Sequence, residues 1–288
     1  MVMRFAGKHA TVVGATGVIG SHIAQAFAQQ GAVVSLLGRS AVQQRDRLSR
    51  QLAPPQLTAK DSASHSSHSS SSFPTSAKTA TAAGLPLTHQ FIKLDVSDAA
   101  SIKQVFAGRA RTATGGDVQE QQGHQCVGPV DILVNCAGIS QTTFLKRTPD
   151  EELEKIVNTN LLATMLVCKH AKMQPNGCII NVSSLMAIHG GFGATAYAAS
   201  KAGLIGFTRA LCRELAPRSI RVNALLPGWV DSDMWQALKP ELQQAYLKDT
   251  PLNRVAHPAE VADAALFLAA NQFANNCVLN IDGGLSAA

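Results

Sequence analysis

His9-Ala10-Thr11-Val12-Val13-Gly14-Ala15-Thr16-Gly17-Val18-Ile19-Gly20 is the stretch on which the fold turns. Its first part, His9 to Val13, is a short β-branched run that reads as a strand. From Val18 to Gln30 small and apolar residues recur at helical spacing until Gly31 stops the pattern. Ala32 to Leu37 then reads as a second strand, which completes a βαβ unit in about 30 residues. Glycines at such a turn let the backbone approach a pyrophosphate, which the positive helix N-terminus can hold. The spacing is GxxGxxG rather than GxGxxG, and a plain tight turn between strand and helix would use the same residues.

Working outward, Phe91 to Leu94, Ile132 to Asn135, Cys178 to Val182, Arg221 to Leu226 and Val278 to Asp282 are further strand-like runs. Helical patterns separate most of them. Alternation of this kind predicts an α/β fold, a doubly wound, seven-stranded parallel sheet with helices on both faces. Two polar stretches break the rhythm. Residues 53–88 are rich in Ser, Ala, Thr and Pro, with too little apolar surface to offset their ordering entropy, and read as a disordered surface insertion. His65 and His68 lie within it without carboxylate or thiol companions, so no metal site is expected. Thr112 to Val127 reads as a second surface insertion. Without the two, roughly 235 to 240 residues remain, enough for a single domain.

The 288 residues are 46% hydrophobic and 15% charged, a globular balance, and no apolar run is long enough to span a membrane. With only 5% aromatics, a base-stacking surface is not expected, and nucleic acid is not an expected partner. The net charge of +6 suits anionic partners such as a phosphorylated cofactor or an acidic carrier protein, and a mildly basic soluble protein would carry it too. Six cysteines without a CxxC pair fit reduced thiols, and the first ten residues lack a signal-peptide core. An intracellular protein is expected, of the cytoplasm or the mitochondrial matrix.

The second strand ends at Leu37-Gly38-Arg39-Ser40 without the acidic residue that usually holds an NAD ribose. Arg39 offers a guanidinium and Ser40 a hydroxyl, which points to NADP(H). Tyr197 and Lys201 stand four apart in Tyr197-Ala198-Ala199-Ser200-Lys201, on one face of a helix. A nearby ammonium favours the phenolate and would bring the tyrosine toward useful acid–base range. Ser184 stands 13 residues before Tyr197, just past the strand Cys178 to Val182, at the end of the sheet where ligands bind.

Together these residues resemble the short-chain dehydrogenase/reductase family, in its compact single-domain branch. The resemblance covers the chain outside the two polar stretches and rests on the glycine turn, Asp95-Val96, Asn135-Cys136-Ala137-Gly138, Asn160, Ser184, Tyr197/Lys201 and Pro227-Gly228. It implies that Gly14, Thr16, Gly17, Ile19 and Gly20 meet the cofactor phosphates and that Asp95 and Val96 meet the adenine. Asn135, Ala137 and Gly138 would shape the wall beside the adenosine and stabilise the central sheet. Asn160 would hold a water in a proton relay through Lys201. Ser184 would bind the substrate carbonyl and Tyr197 would donate the proton. Lys201 would bind the nicotinamide ribose and lower the tyrosine pKa, while Pro227, Gly228, Val230 and Ser232 would line the nicotinamide. Three positions depart from the pattern. Val18 stands where the compact branch has its middle glycine, a spacing closer to the extended branch; Cys136 replaces an Asn or Ala; and Ser232 replaces a Thr.

Within the family, Phe144-Leu145-Lys146-Arg147, Thr159-Asn160-Leu161-Leu162, Tyr197 to Arg209 and Arg221 to Gly228 are similar to β-ketoacyl-acyl-carrier-protein reductases. That likeness implies reduction of a 3-oxoacyl thioester in fatty acid biosynthesis, with acyl carrier protein as a partner. A ketoreductase or hydroxy-dehydrogenase of small secondary metabolites would share these segments. Of the two basic positions that dock the carrier in such reductases, Arg218 matches one and is expected beside the cleft; the other falls near Pro175. The small stripe Ala202, Gly206 and Ala210, beside Leu204, Phe207, Leu211 and Leu215, together with the family likeness, suggests a homodimer or homotetramer.

Overall fold

The computed structural model describes residues 3–52, 85–86, 88–107 and 126–287. The 53–88 stretch lies almost entirely outside the described residues, as does most of 112–127. Cys126 and Val127 are described; Val127 is buried, and its amide donates to the Val105 carbonyl at 3.1 Å, so it belongs to the core rather than to a polar insertion.

Seven strands form one parallel sheet: β1 (His9–Val13), β2 (Val33–Gly38), β3 (Gln90–Lys93), β4 (Pro129–Asn135), β5 (Lys172–Val182), β6 (Arg221–Pro227) and β7 (Val278–Ile281), in the order β3-β2-β1-β4-β5-β6-β7. The order reverses between β1 and β4, the switch point where sheets of this kind open a crevice at their carboxyl ends. Pairing of Val13 with Asn135, Asn135 with Asn181 and Val182 with Leu225 aligns the ends of β1, β4, β5 and β6.

Among the described residues ten α-helices accompany the sheet: α1 (Val18–Gln29), α2 (Arg45–Leu52), α3 (Ala99–Ala107), α4 (Asp150–Val157), α5 (Ala163–His170), α6 (Met186–His189), α7 (Thr195–Leu215), α8 (Asp233–Gln236), α9 (Pro240–Asp249) and α10 (Pro258–Ala270). Ile23, Phe27, Leu48, Val261 and Leu268 of α1, α2 and α10 pack on one face with Val12, Val34 and Ile180. Ile102, Phe106, Val167 and Cys212 of α3, α5 and α7 pack on the other with Val13, Leu133 and Ile179. Both faces are buried, which is why the strands read as apolar runs rather than alternating patterns.

The sequence reading starts β5 at Cys178, whereas the strand begins at Lys172. Its first half is polar and irregular: Asn176 has φ 61°, and the register against β4 shifts between Val130 and Ile132. None of the six cysteines is in a disulfide. Among the described residues no helix is long and apolar enough to cross a membrane, and no three metal-ligating side chains cluster.

Candidate active site

Beyond the end of β5 the chain turns into the cavity, and α7 passes over it. Tyr197 lies in the first turn of α7 and Lys201 one turn later, so the helical repeat puts both on the face turned toward the strand end. Lys201 Nζ donates to the Val182 carbonyl at 2.9 Å, and Ser183 Oγ donates to the Lys201 carbonyl at 2.7 Å. Strand and helix are therefore tied in both directions. Ser184, the next residue, lowers the pKa of the Tyr197 phenol beside it, and its Oγ accepts from the Met186 amide at 3.2 Å.

Burial sets the electrostatics. It pulls the Lys201 amine down to about 8 and pushes the Tyr197 phenol above its ordinary value, with the Ser184 hydrogen bond opposing. Lys201 Nζ stands 5.8 Å from the Tyr197 ring centre. Desolvation of the phenolate is the largest influence on this phenol.

Asn160 sits in a π-helical turn, Asn158–Leu162, between α4 and α5. Such turns recur at functional sites. Its side chain accepts from the Ile139 amide at 2.8 Å and donates to the Ile139 carbonyl and to Ser200 Oγ, both at 3.0 Å. That pins the loop after β4 against α7. A Cβ on Gly138 would stand 3.2 Å from Asn160 Oδ1 and 3.3 Å from Lys201 Nζ, so only glycine leaves these groups their room.

A cavity of about 510 Å³ opens between this triad and the glycine turn. One end is lined by Gly14, Gly17, Val18, Ile19 and Gly20, the middle by Cys136 and Gly138, and the far wall by Pro227, Gly228, Val230 and Ser232. Gly14 has φ +86°, and a Cβ there would come within 2.6 Å of the Ala137 amide. The turn can be this tight only with glycine. The α1 amides of Val18, Ile19 and Gly20 have no hydrogen-bond partner among the described residues, and no acidic residue stands in that turn. Unpaired donors at a helix N-terminus fit an anion. At the outer end Thr16 packs on Gly38, Arg39 acts on the Asp95 carboxylate, and Val96 packs on the core. A dinucleotide with its pyrophosphate at α1 fits these residues.

Comparison with known proteins agrees with the site. A family profile described as enoyl-(acyl carrier protein) reductase matches residues 68–286, and one described as NAD-dependent epimerase/dehydratase matches residues 10–113, the part with the unusual glycine spacing. The chain is 34% identical to a 3-oxoacyl-acyl-carrier-protein reductase of Thermotoga maritima over 98% of its own length and 99% of the relative's. The chain belongs to the short-chain dehydrogenase/reductase family. Another such reductase, of Chlamydia muridarum, is 43% identical over 55% of this chain and 66% of its own, so that match spans just under two thirds of the relative. A solved short-chain dehydrogenase/reductase from Serratia marcescens superposes with a TM-score of 0.75 at 25% identity, covering 98% of this chain and 99% of the other.

Asn135 lies in the central sheet, and Arg218 falls away from the cleft. Asn135 turns its side chain into the sheet, donating to Asn181 Oδ1 at 2.9 Å and to Cys168 Sγ at 3.3 Å, and the cavity wall is made by Cys136 and Gly138 instead. Arg218 follows α7 and donates to the Met173 carbonyl near the start of β5. Ser184 follows the other end of that strand. Arg218 therefore sits at the opposite edge of the sheet and not beside the cleft. Position-by-position transfer fixes a place in the sequence but not the edge of the sheet it falls on.

Other residues of the site carry no sequence signal. Gln141 Oε1 accepts from the Ala196 amide at 2.8 Å and the Tyr197 amide at 3.3 Å, holding the start of α7. Its partners are more than 50 residues away, beyond any local pattern. Trp229 and Trp235 line the cavity, with Trp229 packed between Trp235 (ring centres 5.5 Å apart) and Tyr246 (4.4 Å).

Proposed function

We propose that the chain is an NADP(H)-dependent reductase of 3-oxoacyl thioesters, with Ser184, Tyr197, Lys201 and Asn160 as its catalytic set. The observation that carries the reading is that Ser184, Tyr197 and Lys201 line one cavity together with the glycine turn, with Lys201 Nζ 5.8 Å from the Tyr197 ring centre and tied to the strand end. The reduced nicotinamide, when bound, supplies a hydride to the carbonyl carbon. Ser184 Oγ accepts from the Met186 amide, and its hydroxyl proton can turn from the Tyr197 oxygen to the substrate carbonyl. Tyr197, kept protonated by burial, gives its proton to the same oxygen as negative charge develops. Lys201, pulled to about 8, exchanges protons near neutral pH and can restore the phenol, while Asn160 keeps the loop beside it in place.

The relatives' activity supports the thioester, and Lys146 and Arg147, both exposed, follow the cavity-lining residues 140–142 in the same loop. They give an acidic carrier a basic surface on the cavity side, which would speed encounter at low salt. A second reading, reduction of small free ketones, is favoured by the position of Arg218 at the far edge of the sheet. A homodimer or homotetramer is part of the proposal: Ala202, Gly206 and Ala210 lie exposed along α7, and nothing stands within 4 Å of a Cβ built on Gly206.

The test is NADPH oxidation with acetoacetyl thioesters of acyl carrier protein and coenzyme A, set against simple diketones and repeated at higher salt. The proposal expects the carrier thioester to have the highest kcat/KM and to lose it as salt rises. Equal or better kcat/KM for the diketones, with no salt effect, would replace the first reading by the second.

A further inference from the structure

Arg47 stands on α2, past the turn that carries Arg39 and Ser40, yet its guanidinium reaches back to the glycine turn. Nη2 donates to the Thr16 carbonyl at 3.1 Å. Nη2 and Nε both donate to Gln44 Oε1, at 2.5 and 3.1 Å. The other half of the same amide, Gln44 Nε2, donates to Ser40 Oγ at 2.7 Å. Gln44 N donates to the Ser40 carbonyl at 2.9 Å, a turn that leads into α2 and brings residues 40, 44 and 47 together.

The chain of bonds has a chemical consequence. Neutral acceptors fix the guanidinium, and the ion pairs among the described residues are Lys8–Asp131 and Arg254–Glu260, so no described carboxylate pairs with it. Both hydrogens of Nη2 are engaged, whereas those of Nη1 have no partner among the described residues. Ser40 accepts from Gln44, which leaves its own proton to donate. Thr16 packs within 3.0 Å of where a Gly38 Cβ would lie, so Thr16, Gly38, Arg39 and Ser40 share one corner with Arg47. An ordered cation with spare donors, beside an unspent hydroxyl and a second arginine, is a receptor for a compact dianion. Exposed arginines ordinarily lose side-chain entropy when they bind, and this one is already ordered.

We propose that Arg47, positioned by Gln44, is a determinant of 2′-phosphate recognition alongside Arg39 and Ser40. The inference rests on the NADP(H) reading above. It is tested by calorimetric binding of adenosine 2′,5′-bisphosphate and adenosine 5′-monophosphate to the full chain, compared across wild type, Arg47→Gln, Arg47→Lys and Gln44→Leu. Wild type is expected to prefer the bisphosphate. Arg47→Gln should weaken bisphosphate binding about tenfold and leave the monophosphate unchanged, because one charge-assisted contact is lost. Arg47→Lys should recover part of the loss, and Gln44→Leu, which keeps the charge but frees it, should lose about threefold. An arginine that only braced α2 would lower the melting temperature without moving the ratio of the two affinities. An unchanged ratio in Arg47→Gln would overturn the proposal while leaving the NADP(H) reading intact. Absence of any bisphosphate preference in wild type would overturn both.

Discussion

The two edges of the sheet treat buried polar groups in opposite ways. At the amino edge His9 Nδ1 is bonded to the Pro129 carbonyl at 2.5 Å and Nε2 to Ser35 Oγ at 2.7 Å, and Ser35 passes the chain on to Gln90 at 2.7 Å. The His9 amide donates to Asp131 at 2.9 Å, and Asp131 also meets Lys8 at 3.0 Å. These groups satisfy one another across β1, β2, β3 and β4. At the carboxyl edge Lys201 spends one of its three protons on Val182, the first amides of α1 have no partner among the described residues, and Ser184 keeps its proton. Buried polar groups that close on themselves hold a fold together, whereas those left with spare capacity beside a cavity are positioned to act on a ligand.

Substitutions at the two edges should therefore separate chemistry from stability. At the carboxyl edge Ser184→Ala should lower kcat about 100-fold by removing a donor to the developing oxyanion, with the Kd for NADPH little changed. Steady-state kinetics with a direct NADPH titration checks this, and an unchanged kcat would break the division of labour.

Lys201→Met should abolish turnover and yet stabilise the protein at pH 7. Burial holds the amine at about 8 against an ordinary 10.5, an opposing free energy of about 3 kcal/mol. About 1 kcal/mol is returned by the Val182 carbonyl left unpaired, for a net gain of about 2 kcal/mol. The sign follows from proton binding. Between pH 8 and 10.5 the unfolded chain holds more protons on this amine than the folded one, so wild type gains stability as pH rises through that window. The advantage of the variant should accordingly vanish by pH 10.5, and denaturant unfolding at several pH values reads it. A variant less stable than wild type at pH 7 would show that the amine is not strained by burial.

His9→Gln should do the reverse at a smaller scale, costing about 1.5 kcal/mol of stability at pH 7 and changing kcat/KM less than about twofold. Burial lowers the His9 pKa, opposed by the Pro129 carbonyl and by Asp131. The folded state thus binds fewer protons than the unfolded as pH falls below about 6.5, and wild type loses stability there. The variant should lose less over the same range in acid unfolding curves. A large drop in kcat/KM would mean that the two edges are coupled.

What was legible in the sequence follows from range. β1, the glycine turn and α1 are contiguous, and the i,i+4 spacing of Tyr197 and Lys201 survives any tertiary context, so both could be read directly. The apolar halves of β4 and β5 could be read because burial on both faces demands unbroken apolar runs. The polar start of β5, with Asn176 at φ 61°, gives no such run. The π turn that presents Asn160, the Gln141 clamp on α7 and the Arg47–Gln44 chain depend on partners brought together by the fold. The raised Tyr197 pKa was missed because spacing reports which charges are near and not how much water has been removed.

The central claim is that Tyr197 gives the proton when the carbonyl is reduced, and single-turnover kinetics of Tyr197→Phe tests it most directly. The variant is premixed with NADPH, then with acetoacetyl thioester, while cofactor oxidation and formation of the 3-hydroxyacyl product are followed together. The account predicts that the variant stays folded and binds NADPH as wild type does, because the ring and its packing remain. It also predicts that cofactor oxidation and product formation fall together by about 1,000-fold or more, as expected when a positioned general acid is removed. A folded variant that binds NADPH and forms the hydroxyacyl product near the wild-type rate would contradict it.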